Sequence, residues 1–162
     1  MNANTHERMA PSADKPIGSD RSFGFVFTAF FAAVAAVDSS TTGQIFAQGL
    51  VASGEPGLSL IAERSGKLSG AAVAVLTPAL ESAPAERYRS LRSLLARALG
   101  SSVMTTRIAG LETVSKLAAA AEPELRVEAL NYLLPFVEAK SEVERRVAQL
   151  AVARLAGAVP DG

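Results

Sequence analysis

The chain has 162 residues, enough for one domain that buries roughly 70% of the surface its unfolded form exposes. Sixteen Lys plus Arg balance sixteen Asp plus Glu, which excludes a global field that recruits nucleic acid or an anionic membrane. There is no cysteine, so disulfides, thiolate nucleophiles and sulfur-based zinc sites are excluded together.

Alanine is plentiful and β-branched runs are rare, so propensity favours helix over most of the chain and almost no sheet is expected. Residues 1-21 mix small polar residues with Pro11, Pro16 and Gly18 and show no apolar period, which predicts a disordered tail. A hydrophobic helix is predicted over 22-38, where Phe23, Phe25, Phe27, Phe30 and Phe31 hold five of the seven phenylalanines within nine residues. Phe23 to Val37 carries no charge, and as a helix it spans about 22 Å against about 30 Å for a bilayer core. Three destinations stay open for this run. It packs as a cap on a helical core, it inserts into a membrane, or it is a cleaved signal with the small-residue pattern Ala33-x-Ala35. The balanced charges before it do not suit a signal leader, and the cap reading leads. "SDRSFGFVF" also resembles the opening of some small bacterial integral-membrane proteins, over about a dozen positions.

Residues 39-80 are predicted to be a linker followed by capping helices. "DSSTTG" is a linker by composition, "QIFAQGLVASGEPG" a short frayed helix and a turn. From Leu58 to Leu80 the apolar positions Ile61, Leu68, Ala72, Val75 and Ala79 fall at helical spacing and predict a helix, with Gly66 and Gly70 weakening the middle and Pro78 marking the end.

Beyond residue 80 the sequence repeats. "RYRSLRSLLARAL", "RIAGLETVSKLAA", "RVEALNYLLPFVE" and "RVAQLAVARLAGA" start at Arg87, Arg107, Arg126 and Arg146, at spacings of 20, 19 and 20. Each carries Leu four positions after its Arg, at Leu91, Leu111, Leu130 and Leu150. The first and third copies share Pro84 and Pro123 three residues before the Arg, so the unit is a 39-residue pair of helices. Tyr88, Leu91, Leu95 and Leu99 form one predicted apolar stripe, and Val127, Leu130, Leu134 and Val137 form the corresponding one. Pro135 should kink or end the third copy near Leu134, Ser141 with Glu144 makes a capping box, and Gly157 a stop.

The stretches "EPELRVEALNYLL" and "SEVERRVAQLAVARL" resemble the HEAT-like family of α-solenoid repeats, over residues 81-158. The copies are few, and both helices of each unit carry the Arg, so a superhelix and a compact four-helix bundle both stay open. The expected fold is all-α: a short array of antiparallel helix pairs, with 22-38 as an added hydrophobic helix.

Each recurrent Arg lies near the positive end of its helix dipole, a position unfavourable by about 0.3 to 1 kcal/mol. Compensation is expected from carboxylates, with Glu86, Glu112, Glu124, Glu128 and Glu144 as candidates, or from carbonyls of a neighbouring helix. An anion-binding row is the functional alternative. Charge is also uneven: five Arg and one Glu lie between Glu86 and Arg107, and seven Glu lie between Glu112 and Glu144. Arg89 and Arg92 fall opposite the leucine stripe and are the candidate partner-binding residues.

No catalytic, cofactor-binding or metal-ligating residue is assigned. The single histidine, His6, falls in the expected tail, and "ERSGKLSG" lacks both the first glycine and the hydroxyl of a phosphate loop. Ser12-x-x-Lys15 lacks its companion motifs, and Glu122 with Glu124 suits a helix start. The leading expectation is therefore a noncatalytic cytoplasmic module that binds a protein partner and not nucleic acid. The alternative is a small protein held at the inner face of a membrane by the five phenylalanines.

Overall fold

The computed structural model describes residues 32–157. The expected tail and all five phenylalanines of the apolar run lie outside the described residues, as do residues 158–162. The described end of that run turns once as helix over 32–35 and sinks Val34 and Val37 into the core. Among the described residues there are helices, turns and bends and no strand. None of these helices is long and apolar enough to cross a membrane.

Local chemistry sets the helix ends. Helix α1 (Thr41–Ala52) starts where the Ser40 hydroxyl accepts from Gly43 N at 3.0 Å, so "DSSTTG" supplies a cap and a first turn instead of a linker. Gly54, at φ 76°, then reverses the chain into α2 (Glu55–Arg64), a backbone angle that favours glycine. The turn is tight enough that a Cβ on Gly57 would stand 1.8 Å from the Leu50 carbonyl oxygen.

The apolar period from Leu58 to Leu80 does not produce one helix. It breaks after Arg64 and resumes as α3 (Gly70–Ala79), where the Ser69 hydroxyl accepts from Ala72 N at 3.1 Å. Two hydroxyl–glycine pairs, Ser65-Gly66 and Ser69-Gly70, favour ending and capping over continuing. Pro78 sits in the last turn of α3, and the chain tightens into 3-10 turns at Leu80–Ser82 and Ala85–Arg87.

The last four helices are α4 (Tyr88–Leu99), α5 (Met104–Ala118), α6 (Pro123–Leu133) and α7 (Glu142–Leu155). Pro123 opens α6, where its missing N–H is harmless. Pro135 ends it, with the 3-10 turn Leu134–Phe136 following. Ser141 caps α7 by accepting from Glu144 N at 3.4 Å, and Gly157 stops it at φ 73°.

The helices pack in two rows. In one row α1 lies against α3, α3 against α5 and α5 against α7; in the other, α2 lies against α4 and α4 against α6. Consecutive helices join the rows, through α1 with α2, α3 with α4, α4 with α5, α5 with α6 and α6 with α7. One apolar core runs the whole length, from Val34 through Leu50, Ile61, Leu76, Leu91, Leu111 and Leu133 to Leu155. Within it the buried Thr113 hydroxyl donates to the Thr77 carbonyl at 3.1 Å, tying α5 to α3.

Candidate interaction face

Helix α4 separates its residues by face. Tyr88, Leu91, Leu94, Leu95, Ala98 and Leu99 are buried, while Arg89 is exposed and Arg92 half-buried on the outer side. Arg89 pairs with Glu122, the N-cap residue of α6, at 3.3 Å, and Arg92 donates to Glu128 of α6 at 2.9 Å. Arg87 pairs with Glu55 at the start of α2. A chain of opposite charges therefore crosses the outer row from α2 over α4 to α6. Each pair is open to solvent, and such pairs contribute about 0 to 1 kcal/mol each.

Beneath these charges lies Tyr88. Burial pushes its phenol up to about 12, Glu128 and Tyr132 of α6 add to the shift, and Arg92 opposes it. The phenol is neutral at physiological pH and belongs to the core.

The four recurrent arginines have four different surroundings. Arg107 grips Glu144 of α7 with two hydrogen bonds, Nε to Oε1 at 2.5 Å and Nη2 to Oε2 at 3.1 Å, and its Nη1 donates to the Ser101 carbonyl at 2.9 Å. Glu144 is only 4% exposed, and its carboxylate raises the Arg107 pKa further above its ordinary value. Arg126 reaches the Ala121 carbonyl at 3.4 Å, and its buried Nε has no hydrogen-bond partner among the described residues. Arg146 pairs with Glu142 one turn back on its own helix at 2.8 Å, fully at the surface, and Arg87 pairs with Glu55 as described. Of the acids expected to compensate, Glu128 and Glu144 bond to guanidinium groups, Glu128 to Arg92 and not to a recurrent arginine.

The recurrent leucines diverge as well. Leu91 and Leu111 are fully buried, Leu130 is partly buried, and Leu150 is 65% exposed. The corresponding stripe of the third copy is also displaced. Helix α6 buries Leu125, Ala129 and Leu133 and leaves Val127 exposed, and Leu134 in the 3-10 turn that follows is exposed too.

Two arginines that the repeat does not highlight tie elements together. Arg97 in the last turn of α4 donates to the Ser65 and Leu68 carbonyls, closing the connection between α2 and α3. Arg154 of α7 donates to the buried Ser115 hydroxyl of α5 at 3.0 Å. For Arg154 the signal is the separation of the bonded residues. Arg92 and Glu128 are 36 apart, Arg107 and Glu144 37, Lys116 and Glu81 35, and Arg154 and Ser115 39, each close to one helix pair of sequence. The bonds of Arg92, Arg107 and Arg154 thus skip a helix and join members of the same row.

Among the described residues no group of His, Cys, Asp and Glu is placed to hold a metal ion. The surface that gathers the sequence-derived candidates is the outer row, where Arg89 and Arg92 stand between Glu122 and Glu128. Comparison with known proteins finds no family model, no curated protein and no solved structure that matches this chain.

Proposed function

We propose that this chain is a noncatalytic helical-repeat module that binds a protein partner across its outer row of helices. The observation that carries this reading is the line of exchangeable ion pairs on α4 and α6. Arg89 is 64% exposed in its side chain and Arg92 42%, and each is held by a single solvent-facing carboxylate. Because such pairs are worth little, a partner's carboxylates can replace Glu122 and Glu128 at small energetic cost and gain orientation from the fixed guanidinium spacing. The HEAT-like resemblance of residues 81-158 and the two-row packing support the same reading.

The test is capture of binding partners by the immobilised full chain and by an Arg89→Glu/Arg92→Glu variant, with circular dichroism confirming equal helix content. The double reversal is expected to lose its partners, whereas reversing the distant exposed pair Lys116 and Glu81 leaves capture unchanged. Retention of every partner by the double reversal removes the outer row as the binding face. Recovery of the chain only in a detergent-released membrane fraction would replace this reading with the membrane-anchored one.

A further inference from the structure

Helices α1 and α3 meet along a surface that carries no charge. Neither the twelve residues of α1 nor the ten of α3 include a charged one, whereas α5, the next helix in their row, exposes Glu112 and Lys116. Between them lies a groove of about 370 Å³ lined by Gln44, Gln48, Ala74, Val75, Pro78 and Ala79. A second hollow of about 460 Å³ shares Gln48, Pro78 and Ala79 with the first, so the two are continuous. It carries the groove past Ala52 to the place where Lys116 and Glu81 pair with each other.

Polar groups in need of partners stand on both walls. Pro78 has no N–H, so the carbonyl of Ala74, four residues before it, loses its helical donor. The neighbouring Thr77 hydroxyl does not replace that donor, since it bonds to the Val73 carbonyl at 2.6 Å. On the opposite wall Gln44 and Gln48 are one turn apart on α1, both exposed. Gln44 Nε2 donates to the Ser39 carbonyl at 3.3 Å, which holds its amide in place, and the Gln48 amide bonds to no described residue.

We propose that this groove binds the main chain of an extended peptide segment whose side chains are uncharged. The Ala74 carbonyl accepts from one peptide N–H, and each glutamine amide offers both a donor and an acceptor. Four residues of helix rise about 6 Å, close to the two-residue repeat of an extended chain at about 6.7 Å, so alternate amides along one peptide edge meet Gln44 and Gln48 in turn. Small side chains at Ala52, Ala74 and Ala79 let a backbone come close. A charged side chain laid here would lose its water and find no counter-ion, which selects against charged sequence. The groove lies on the row opposite Arg89 and Arg92, so it goes beyond the partner-binding reading and can fail independently of it.

Panning a displayed library of random nonapeptides on the immobilised full chain tests this. Enriched peptides are expected to share an uncharged run of about four residues, enough to span both glutamines. With the most enriched peptide labelled by fluorescein, anisotropy is expected to show binding weakened at least about tenfold by Gln44→Ala/Gln48→Ala and about fivefold by Pro78→Ala. Pro78→Ala gives the Ala74 carbonyl a donor within its own helix, so its loss of binding comes with a melting temperature that is unchanged or higher, which damage to the fold would not produce. N-methylation of the central peptide amides weakens binding as well, and Arg89→Glu/Arg92→Glu leaves it unchanged. The proposal is overturned by an absence of enrichment, by enrichment of charged peptides, or by binding indifferent to the glutamine pair or to Pro78→Ala. Capture of the chain by phosphatidylcholine vesicles through the same two glutamines overturns it too, in favour of a lipid surface.

Discussion

Helices α4 and α6 carry closely similar sequence patterns and occupy the same row, yet they are buried to very different extents. Helix α4 has α2 on one side and α6 on the other and rests on α3 and α5; its tyrosine and all its leucines are buried. Helix α6 has α4 on one side only and rests on α5 and α7, and it buries three residues while two of its large apolar ones stay in water. The difference teaches that position in the stack, and not the apolar pattern alone, determines what a given leucine contributes.

The contrast can be sharpened most strongly with alanine. Leu91→Ala in α4 is expected to cost about 3 kcal/mol, because it empties a fully buried site, against about 1 kcal/mol for Leu130→Ala in α6. Leu150→Ala should fall within about 0.5 kcal/mol. Urea unfolding of the three variants checks the order; equal costs would mean that the copies are energetically equivalent after all.

A second comparison sets the bond between α5 and α7 against the bond between α4 and α6. Glu144→Gln breaks a two-point bond at a carboxylate that is nearly inaccessible, and with Arg107 still partly open to water the expected loss is about 2 kcal/mol. Glu128→Gln breaks a single solvent-facing bond and is expected to stay within about 0.5 kcal/mol. Thermal unfolding at low and high salt distinguishes the two, since only the exposed pair is screened.

The smallest effect concerns the phenol between α4 and α6. Tyr88 has its folded pKa raised from 10.0 to about 12, so the neutral form is favoured by folding. Stability from this group is complete below pH 10 and is lost as pH rises towards 12, by about 1 to 2 kcal/mol near pH 11.5. The measurement is made in a Tyr132→Phe background, which leaves Tyr88 as the single tyrosine. Adding Tyr88→Phe should abolish this part of the alkaline loss.

How far the sequence foretold this architecture differs along the chain. The all-helical class, the stop at Pro135, the cap at Ser141 and the turn at Gly157 were legible because each follows from one residue's local chemistry. The break between α2 and α3 was legible only as a weak middle at Gly66 and Gly70, since Ile61, Leu68 and Ala72 keep helical spacing across a gap that Ser69 and Arg97 close from either side. The buried face of α6 was illegible. Leu125, Ala129 and Leu133 form an apolar line as acceptable as Val127, Leu130 and Leu134, and only the neighbouring helices choose between them. For Arg89 and Arg92, spacing revealed the outward face but not the carboxylates opposite, which arrive from a helix more than thirty residues away.

The bonds that skip a helix also bear on how the polypeptide could be divided. Every tie from Arg89 to Glu122, Arg92 to Glu128, Arg107 to Glu144 and Arg154 to Ser115 crosses the short connection after α5. Severing the backbone between Ala120 and Ala121 would leave all four in place, together with the apolar contacts of α5 with α7. At that point the covalent thread is one fastening among several, and two separately made fragments carry complementary clasps with which to find each other.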